Sequence, residues 1–86
     1  MSQTAKVFAR VFDYAASPEM ADGTIAFTVE WKRLTGAKQG GKQRFLLTAS
    51  SDSRMRDDLR DALASYLSQR FAPEVFRPRD IVGYSV

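Results

Sequence analysis

The chain contains neither cysteine nor histidine, and these two absences exclude much of the chemistry available to a protein of 86 residues. Without cysteine there are no disulfides and no thiolate ligands for a metal. Without histidine the commonest general base is missing, and Ser-His and Cys-His nucleophilic pairs cannot form. The densest acidic group, at 57–61, is interleaved with arginines in the manner of a solvated helix face. We therefore predict a protein that is not an enzyme and uses no metal, other cofactor or small-molecule substrate.

Long apolar runs are also absent, since no stretch approaches the ~20 residues that a membrane span needs. The first residues, MSQTAKVF, lack the basic and apolar regions of a secretory signal. The content of 44% hydrophobic and 27% charged residues is that of an ordinary globular protein. We expect one small cytoplasmic domain spanning residues 1–86, with no membrane contact.

The stretch GAKQGGKQ, at 36–43, resembles the G-x-x-x-x-G-K pattern of a phosphate-binding loop. Such a loop ends in Ser or Thr and leads from a strand into a helix, whose amide groups meet the phosphates. Here Gln43 occupies the last place and a predicted strand follows. The glycines are therefore interpreted as the tip of a β-hairpin, where they allow positive φ.

Alternation of apolar and polar residues predicts three strands, at 5–15, 24–34 and 42–50. The second is the clearest, with Ile25, Phe27, Val29 and Trp31 on one side. The third places Phe45, Leu47 and Ala49 on one side and Arg44, Leu46 and Thr48 on the other. The segment 17–23 contains the Pro, Asp and Gly of a turn and joins the first two strands.

The period then changes to three and four residues, which predicts an amphipathic helix over 51–71. Ser51, Asp52 or Ser53 would cap its start. Residues 72–80 contain Pro73 and Pro78 and predict a loop, and 81–86 predict a short strand.

These elements predict an α+β fold with the order β-β-β-α-β: a three-stranded antiparallel meander, one helix packed on one face, and a short C-terminal fourth strand. The expected core consists of Ile25, Phe27, Val29, Trp31, Phe45, Leu47, Met55, Leu59, Leu63 and Leu67.

The first strand carries apolar side chains on both faces. Val7, Ala9, Val11 and Asp13 lie on one face, and Lys6, Phe8, Arg10, Phe12 and Tyr14 on the other. If the valines face the helix, the rings stand on the open side of the sheet, where Leu46 joins them. A candidate partner-binding surface then comprises Phe8, Arg10, Phe12, Tyr14 and Leu46.

Two alternatives would hide these rings. They could face the core, which would draw Arg10 inward and require a carboxylate such as Glu30 or Asp80 beside it. Otherwise a bulge could bury both sets in part, or the chain around Val75, Phe76 and Tyr84 could cover the rings.

A second candidate surface is the basic hairpin at 32–44, which contains no acidic residue. Its cations, which could reach a polyanion, are Lys32, Arg33, Lys38, Lys42 and Arg44. The alternative interpretation is that these charges keep the hairpin soluble and prevent edge-to-edge pairing. Strands followed by a helix over 24–70 resemble, in topology, the AP2-like DNA-binding domains of some phage integrases, which implies DNA binding; the strands on either side depart from that pattern.

The charge balance decides between the two kinds of partner. The net charge is only +3, and an acidic segment at 13–30 opposes the basic hairpin, whereas a polyanion binder typically neutralises about 6 to 10 phosphates. We therefore expect protein–protein contact, either self-association or a macromolecular partner, as in a phage-type inhibitor or accessory factor. Nucleic-acid binding through the hairpin is the alternative.

Overall fold

The computed structural model describes residues 5–16, 23–36, 39–48 and 51–83. The strands are β1 (Val7–Ala16), β2 (Thr24–Arg33), β3 (Gly40–Thr48) and β4 (Ile81–Val82). The helix α1 (Asp52–Arg70) precedes a single 3₁₀ turn at Pro78–Asp80. The predicted α+β fold and its element order are confirmed. The ends of the third and fourth predicted strands, at 49–50 and 84–86, lie outside the described residues.

The four strands form one mixed sheet in the order β3-β2-β1-β4. β1 and β3 both pair antiparallel with β2, as a meander requires. β4 pairs in parallel with β1, placing Ile81 beside Val7 and Val82 beside Phe8. Parallel pairing needs a long crossover between the strands, and here the connection from the meander to β4 includes α1.

The helix α1 begins where the sequence predicts, with Ser51 as its N-cap. The Ser51 Oγ accepts a hydrogen bond of 3.4 Å from the Arg54 amide, satisfying one of the free donors of the first turn. Among the described residues, no helix combines the length and the apolar character needed to cross a membrane.

The core lies between α1 and one face of the sheet. Leu59, Leu63 and Leu67 are completely buried and form the helical seam, which is the helical side of this core. Of the predicted core residues, Ile25, Phe45, Leu47 and Met55 are only partly buried. Five buried members were not expected, namely Val7, Ala9, Ala64, Phe76 and Ile81.

A β-bulge at Phe12 changes which side chains of β1 face the helix. Val11 pairs with Val29, but the next partner of β2, Thr28, pairs with Asp13, so Phe12 is an extra residue. Before the bulge, Val7 and Ala9 face the helix and the aromatic side chains face away. The hypothesis that the rings face the core is therefore wrong for this part of the strand.

Neither Val75 nor Phe76 covers the rings, although Gly83, the residue after β4, packs against Phe8. Phe76 is buried on the helix side, and Val75 is exposed in the loop that follows α1. Tyr84 lies outside the described residues.

Replacing Leu63 by Ala tests the helical seam. Because Leu63 is fully buried at its centre, Leu63→Ala should lower the free energy of unfolding by about 2 to 5 kcal/mol. Chemical denaturation gives the value. Ser65→Ala, on the exposed side of α1, is the control and should stay within about 0.5 kcal/mol of the unmodified protein. Equal stability of the two variants would show that α1 is peripheral.

Candidate binding surface

The face of the sheet opposite α1, called the open face from here on, has no second layer among the described elements. Cross-strand register assigns its side chains, since paired residues share a face. Its large or charged side chains are those of Phe8, Arg10, Phe12, Asp13, Glu30, Lys32, Lys42, Arg44, Leu46 and Val82. Phe12 has no cross-strand partner and is placed there by its contacts with Arg10 and Lys42.

Four large apolar side chains on the open face are exposed to solvent. Phe8 is 44% exposed, Phe12 51%, Leu46 47% and Val82 39%. They come from three different strands, and Val82 stands directly beside Phe8. Scattered single apolar side chains on a surface are ordinary, whereas several on one sheet face indicate a contact surface.

The Phe8 ring is held in place by Gly83, the residue that follows β4. Gly83 has φ of +91°, a conformation that favours glycine, and a side chain there would overlap the Phe8 ring. The ring therefore packs on bare backbone at the end of β4. This contact makes Phe8 a preformed feature of the open face.

Charged side chains divide the apolar ones into two groups. Arg10 and Glu30 are cross-strand partners, and the Arg10 Nε donates to Glu30 Oε1 at 2.8 Å. Both are exposed, so the pair orients the side chains more than it stabilises the fold. Lys42, beside Glu30 on β3, places its Nζ 3.7 Å from the centre of the Phe12 ring, a favourable cation–π geometry.

A shallow groove of about 630 Å³ runs between β1 and the start of β3. Phe8 and Arg10 border it on one side and Lys42 on the other, while Gly40 and Gly41 contribute no side chains. The glycines are required by close packing, because a side chain at Gly40 would approach the Trp31 carbonyl to 2.9 Å. Glu30 is the one carboxylate among the lining residues, and it is paired with Arg10.

Four of the five residues predicted for partner binding meet on the open face: Phe8, Arg10, Phe12 and Leu46. Tyr14 does not. Beyond the bulge the alternation is reversed, and Tyr14 lies opposite Phe27 with its ring centre 5.9 Å away. It is 59% exposed, but on the helix side of the sheet.

The five cations of the predicted basic hairpin do not all lie on the same face of the sheet. Lys32, Lys42 and Arg44 are exposed on the open face, and Lys38 lies outside the described residues. Arg33 has a different environment, because it lies on the helix side and is only 7% exposed.

Arg33 connects the end of β2 to the loop after α1. Its Nη2 donates to both carboxylate oxygens of Glu74, at 2.7 and 2.9 Å. The guanidinium also lies 4.7 Å from the centre of the Phe71 ring and 5.4 Å from that of Phe76. A buried, paired arginine of this kind holds two segments together and is not available to a polyanion.

Sequence reasoning named Glu30 only as a carboxylate for a buried Arg10, and it missed Val82. It was wrong to place Asp13 with the valines, because the bulge moves Asp13 to the open face. Glu30 alternates with the apolar residues of β2, so the signal for it was present. Val82 had no such signal, because its position depends on the parallel pairing of a two-residue strand.

No protein-family model, curated protein or solved structure matches this chain. The topological resemblance to AP2-like domains therefore has no support from these comparisons. In the part of the chain that the structure describes, no group of three or more acidic side chains is placed to hold a metal ion.

Arg33 and Lys32 offer a matched test of these assignments, since they are neighbours on opposite faces. Arg33→Gln should lower the free energy of unfolding by about 1 to 3 kcal/mol, because it removes charged hydrogen bonds to Glu74. Lys32→Gln should change it by no more than about 0.5 kcal/mol. Thermal and chemical unfolding measure both. If Arg33→Gln is as stable as Lys32→Gln, then Arg33 does not contribute to the stability of the fold.

Proposed function

We propose that this chain is a small non-enzymatic binding domain that contacts another protein through the open face. The observation that carries the proposal is the cluster of exposed apolar side chains from three strands, bordered by cations. Aromatic and arginine side chains are the usual anchors of protein interfaces. Such contact is the mode of action expected of a phage-type inhibitor or accessory factor.

The arrangement supports one contact area that contains separate apolar groups with charged side chains between them. Phe8 and Val82 form one apolar group at the β4 side, and Phe12 lies between Arg10 and Lys42. The groove beside Phe8 provides a depression into which a partner side chain could fit. An interface needs such a buried centre with a polar rim, and the charged side chains of the open face provide that rim.

The charges favour a protein over a nucleic acid as the partner. Four cations on the open face are opposed by Glu30 and Asp13, and Arg10 is already paired with Glu30. The ring of Phe12 that could stack on a base has the Lys42 ammonium group against it. A protein partner can bury the exposed parts of Phe12 and Lys42 together. A base could stack on Phe12 only after Lys42 had moved away from the ring.

Phe12→Ala tests the proposal, with Val75→Ala as its control. Both side chains are more than half exposed, but Val75 lies in the loop after α1 and not on the open face. Each variant should unfold within about 0.5 kcal/mol of the original. Phe12→Ala should weaken partner binding by about 30-fold, since an aromatic anchor contributes ~2 kcal/mol or more, whereas Val75→Ala should leave it unchanged.

Binding is measured without knowing the partner in advance, by placing a photoreactive amino acid at Leu46 in the cells that express the protein. The expected product is a covalent adduct with a protein, reduced by Phe12→Ala and retained by Val75→Ala. Adducts that contain nucleic acid alone would contradict the proposal. So would a loss of ~3 to 5 kcal/mol of folding stability in Phe12→Ala, which is the cost of removing a core ring.

Nucleic-acid binding is the second candidate, because Lys32, Lys42 and Arg44 all project from the same face as Phe8 and Phe12. Cations interleaved with aromatic rings on a sheet can bind a single strand by phosphate contact and stacking.

Changing Lys32, Lys42 and Arg44 together to Gln tests this second candidate. Loss of three phosphate contacts should reduce the slope of log affinity against log salt by about 2 to 3. Fluorescence anisotropy with labelled oligonucleotides over a range of salt concentrations gives the slope. If the unmodified protein binds no oligonucleotide even in low salt, the nucleic-acid candidate fails and the protein-binding proposal is unaffected.

A further inference from the structure

The outer edge of β3 differs from the opposite edge of the sheet. β3 has nine residues without proline, and its ladder with β2 shows no shift in register. The opposite edge consists of β4, which has only two residues, and of the part of β1 that β4 leaves unpaired, where the bulge at Phe12 interrupts the strand. Proteins usually blunt their edge strands by shortness, proline, bulges or charged side chains, because a long regular edge offers its backbone groups to another strand. Of these devices β3 carries only the charges of Lys42 and Arg44. Among the described residues, no strand pairs with the outer side of β3.

The core is also incompletely closed at this edge. On the helix side of the sheet, Phe45 and Leu47 of β3 are only partly buried, as are Met55 and Tyr66 of α1. The Phe45 and Tyr66 rings are in edge-to-face contact with centres 6.2 Å apart. At the β4 side, by contrast, Ile81 is 3% exposed. Another strand beside β3 would therefore cover apolar surface as well as satisfy backbone groups.

We propose that β3 pairs antiparallel with β3 of a second copy of this chain, about a two-fold axis at Phe45. A second copy is the occupant because its own Phe45 and Leu47 are also only partly buried, so that each copy would cover the apolar edge of the other. Three registers of self-pairing keep the faces of the sheet matched and use most of the strand, pairing residues 40–46, 40–48 or 42–48. They place the two-fold axis at Gln43, Arg44 and Phe45 respectively.

Charge selects among these registers. With the axis at Gln43, Lys42 would lie directly opposite Arg44 of the second copy, and with the axis at Arg44 the two arginines would oppose each other. Like charges in directly opposite positions destabilise a sheet. With the axis at Phe45, Arg44 lies opposite Leu46 and Lys42 opposite Thr48, while the two Phe45 rings meet on the helix side.

This pairing goes beyond the proposed function and does not depend on it. It would create one continuous eight-stranded sheet with both helices on the same side. The two open faces would then lie side by side, and each would keep its own Phe8 and Phe12. A dimer of this kind would present two contact areas to a partner.

The cations of β3 give the proposed dimer a characteristic salt dependence. The two Arg44 side chains would lie on either side of the axis, about 7 Å apart along the strands, and repel one another at low ionic strength. Raising the salt from about 0.1 M to about 1 M shortens the Debye length from roughly 10 to 3 Å and should strengthen dimerisation. The variant carrying Lys42→Gln and Arg44→Gln should dimerise more tightly in low salt and lose most of this dependence.

The first experiment is the molar mass of the full chain in solution over a range of protein and salt concentrations. The expected result is a shift from one chain of 9.7 kDa toward two as either concentration rises. A protein that remains monomeric under all these conditions overturns the proposal, whatever the variants below do.

The second experiment uses the absence of cysteine, because a single introduced thiol can form a disulfide only with the same thiol of another copy. Residues opposite each other across the axis have Cα atoms about 4.5 to 5.5 Å apart, within reach of a disulfide. Phe45→Cys should therefore form a covalent dimer under mild oxidation. In Leu47→Cys the two thiols would be separated by about 14 Å along the strands and should not cross-link.

The two variants are matched, because both remove a partly buried apolar side chain from the helix side of β3. Circular dichroism establishes that each remains folded. Cross-linking in Phe45→Cys alone supports the proposal. Two results would overturn it. The first is cross-linking in Leu47→Cys but not in Phe45→Cys. The second is a dimer that the Phe12→Ala change dissociates and that Phe45→Cys does not cross-link. That last result would instead identify the open face as the site of self-association.

Discussion

A single helix can cover only one face of a sheet, and this constraint determines how the rest of the molecule is arranged. The seam formed by Leu59, Leu63 and Leu67 shares one core cluster with Val29 and Trp31 of β2, which are also almost completely excluded from water. In this chain no second helix is present among the described elements to protect the opposite face. An open face of this kind normally carries polar residues. The exposed Phe8, Phe12, Leu46 and Val82 are therefore unexplained by folding alone.

One extra residue in β1 decides which side chains reach that face. The bulge at Phe12 allows Val7 and Ala9 to pack under the helix and still directs Tyr14 back to the helix side, opposite Phe27. Without it, Tyr14 would stand on the open face with Phe8 and Phe12. Because bulges bend a strand and re-aim its side chains, the bulge separates the residues that contribute to the open face from those that extend the core.

The sequence was informative where one face of an element is clearly apolar, and ambiguous elsewhere. Alternation in β2 was sufficient to predict both its extent and its buried side. In β1, valines and aromatic rings alternate, so periodicity could not choose between the faces, and nothing in the sequence marked the bulge. Arg33 follows Trp31 by two residues, so its place on the helix side was predictable from the same alternation. The parallel pairing of β4 was not, since two residues carry no period and the partner depends on the path of the chain after α1.

Lys42 connects the two proposed surfaces. Its ammonium group lies against the Phe12 ring on the open face, yet its backbone belongs to the free edge of β3. Pairing of β3 with a second copy would place Lys42 directly opposite Thr48 of that copy and about 14 Å along the strands from its Arg44. A partner that buries Phe12 must either accept Lys42 in its interface or displace it toward the edge, where its side chain would crowd Thr48 of the second copy. If both surfaces are used, binding at one therefore changes the free energy of binding at the other, and the effect must be reciprocal. The sign depends on whether the partner supplies a carboxylate for Lys42: with one, the open face and the β3 edge would bind cooperatively, and without one they would compete.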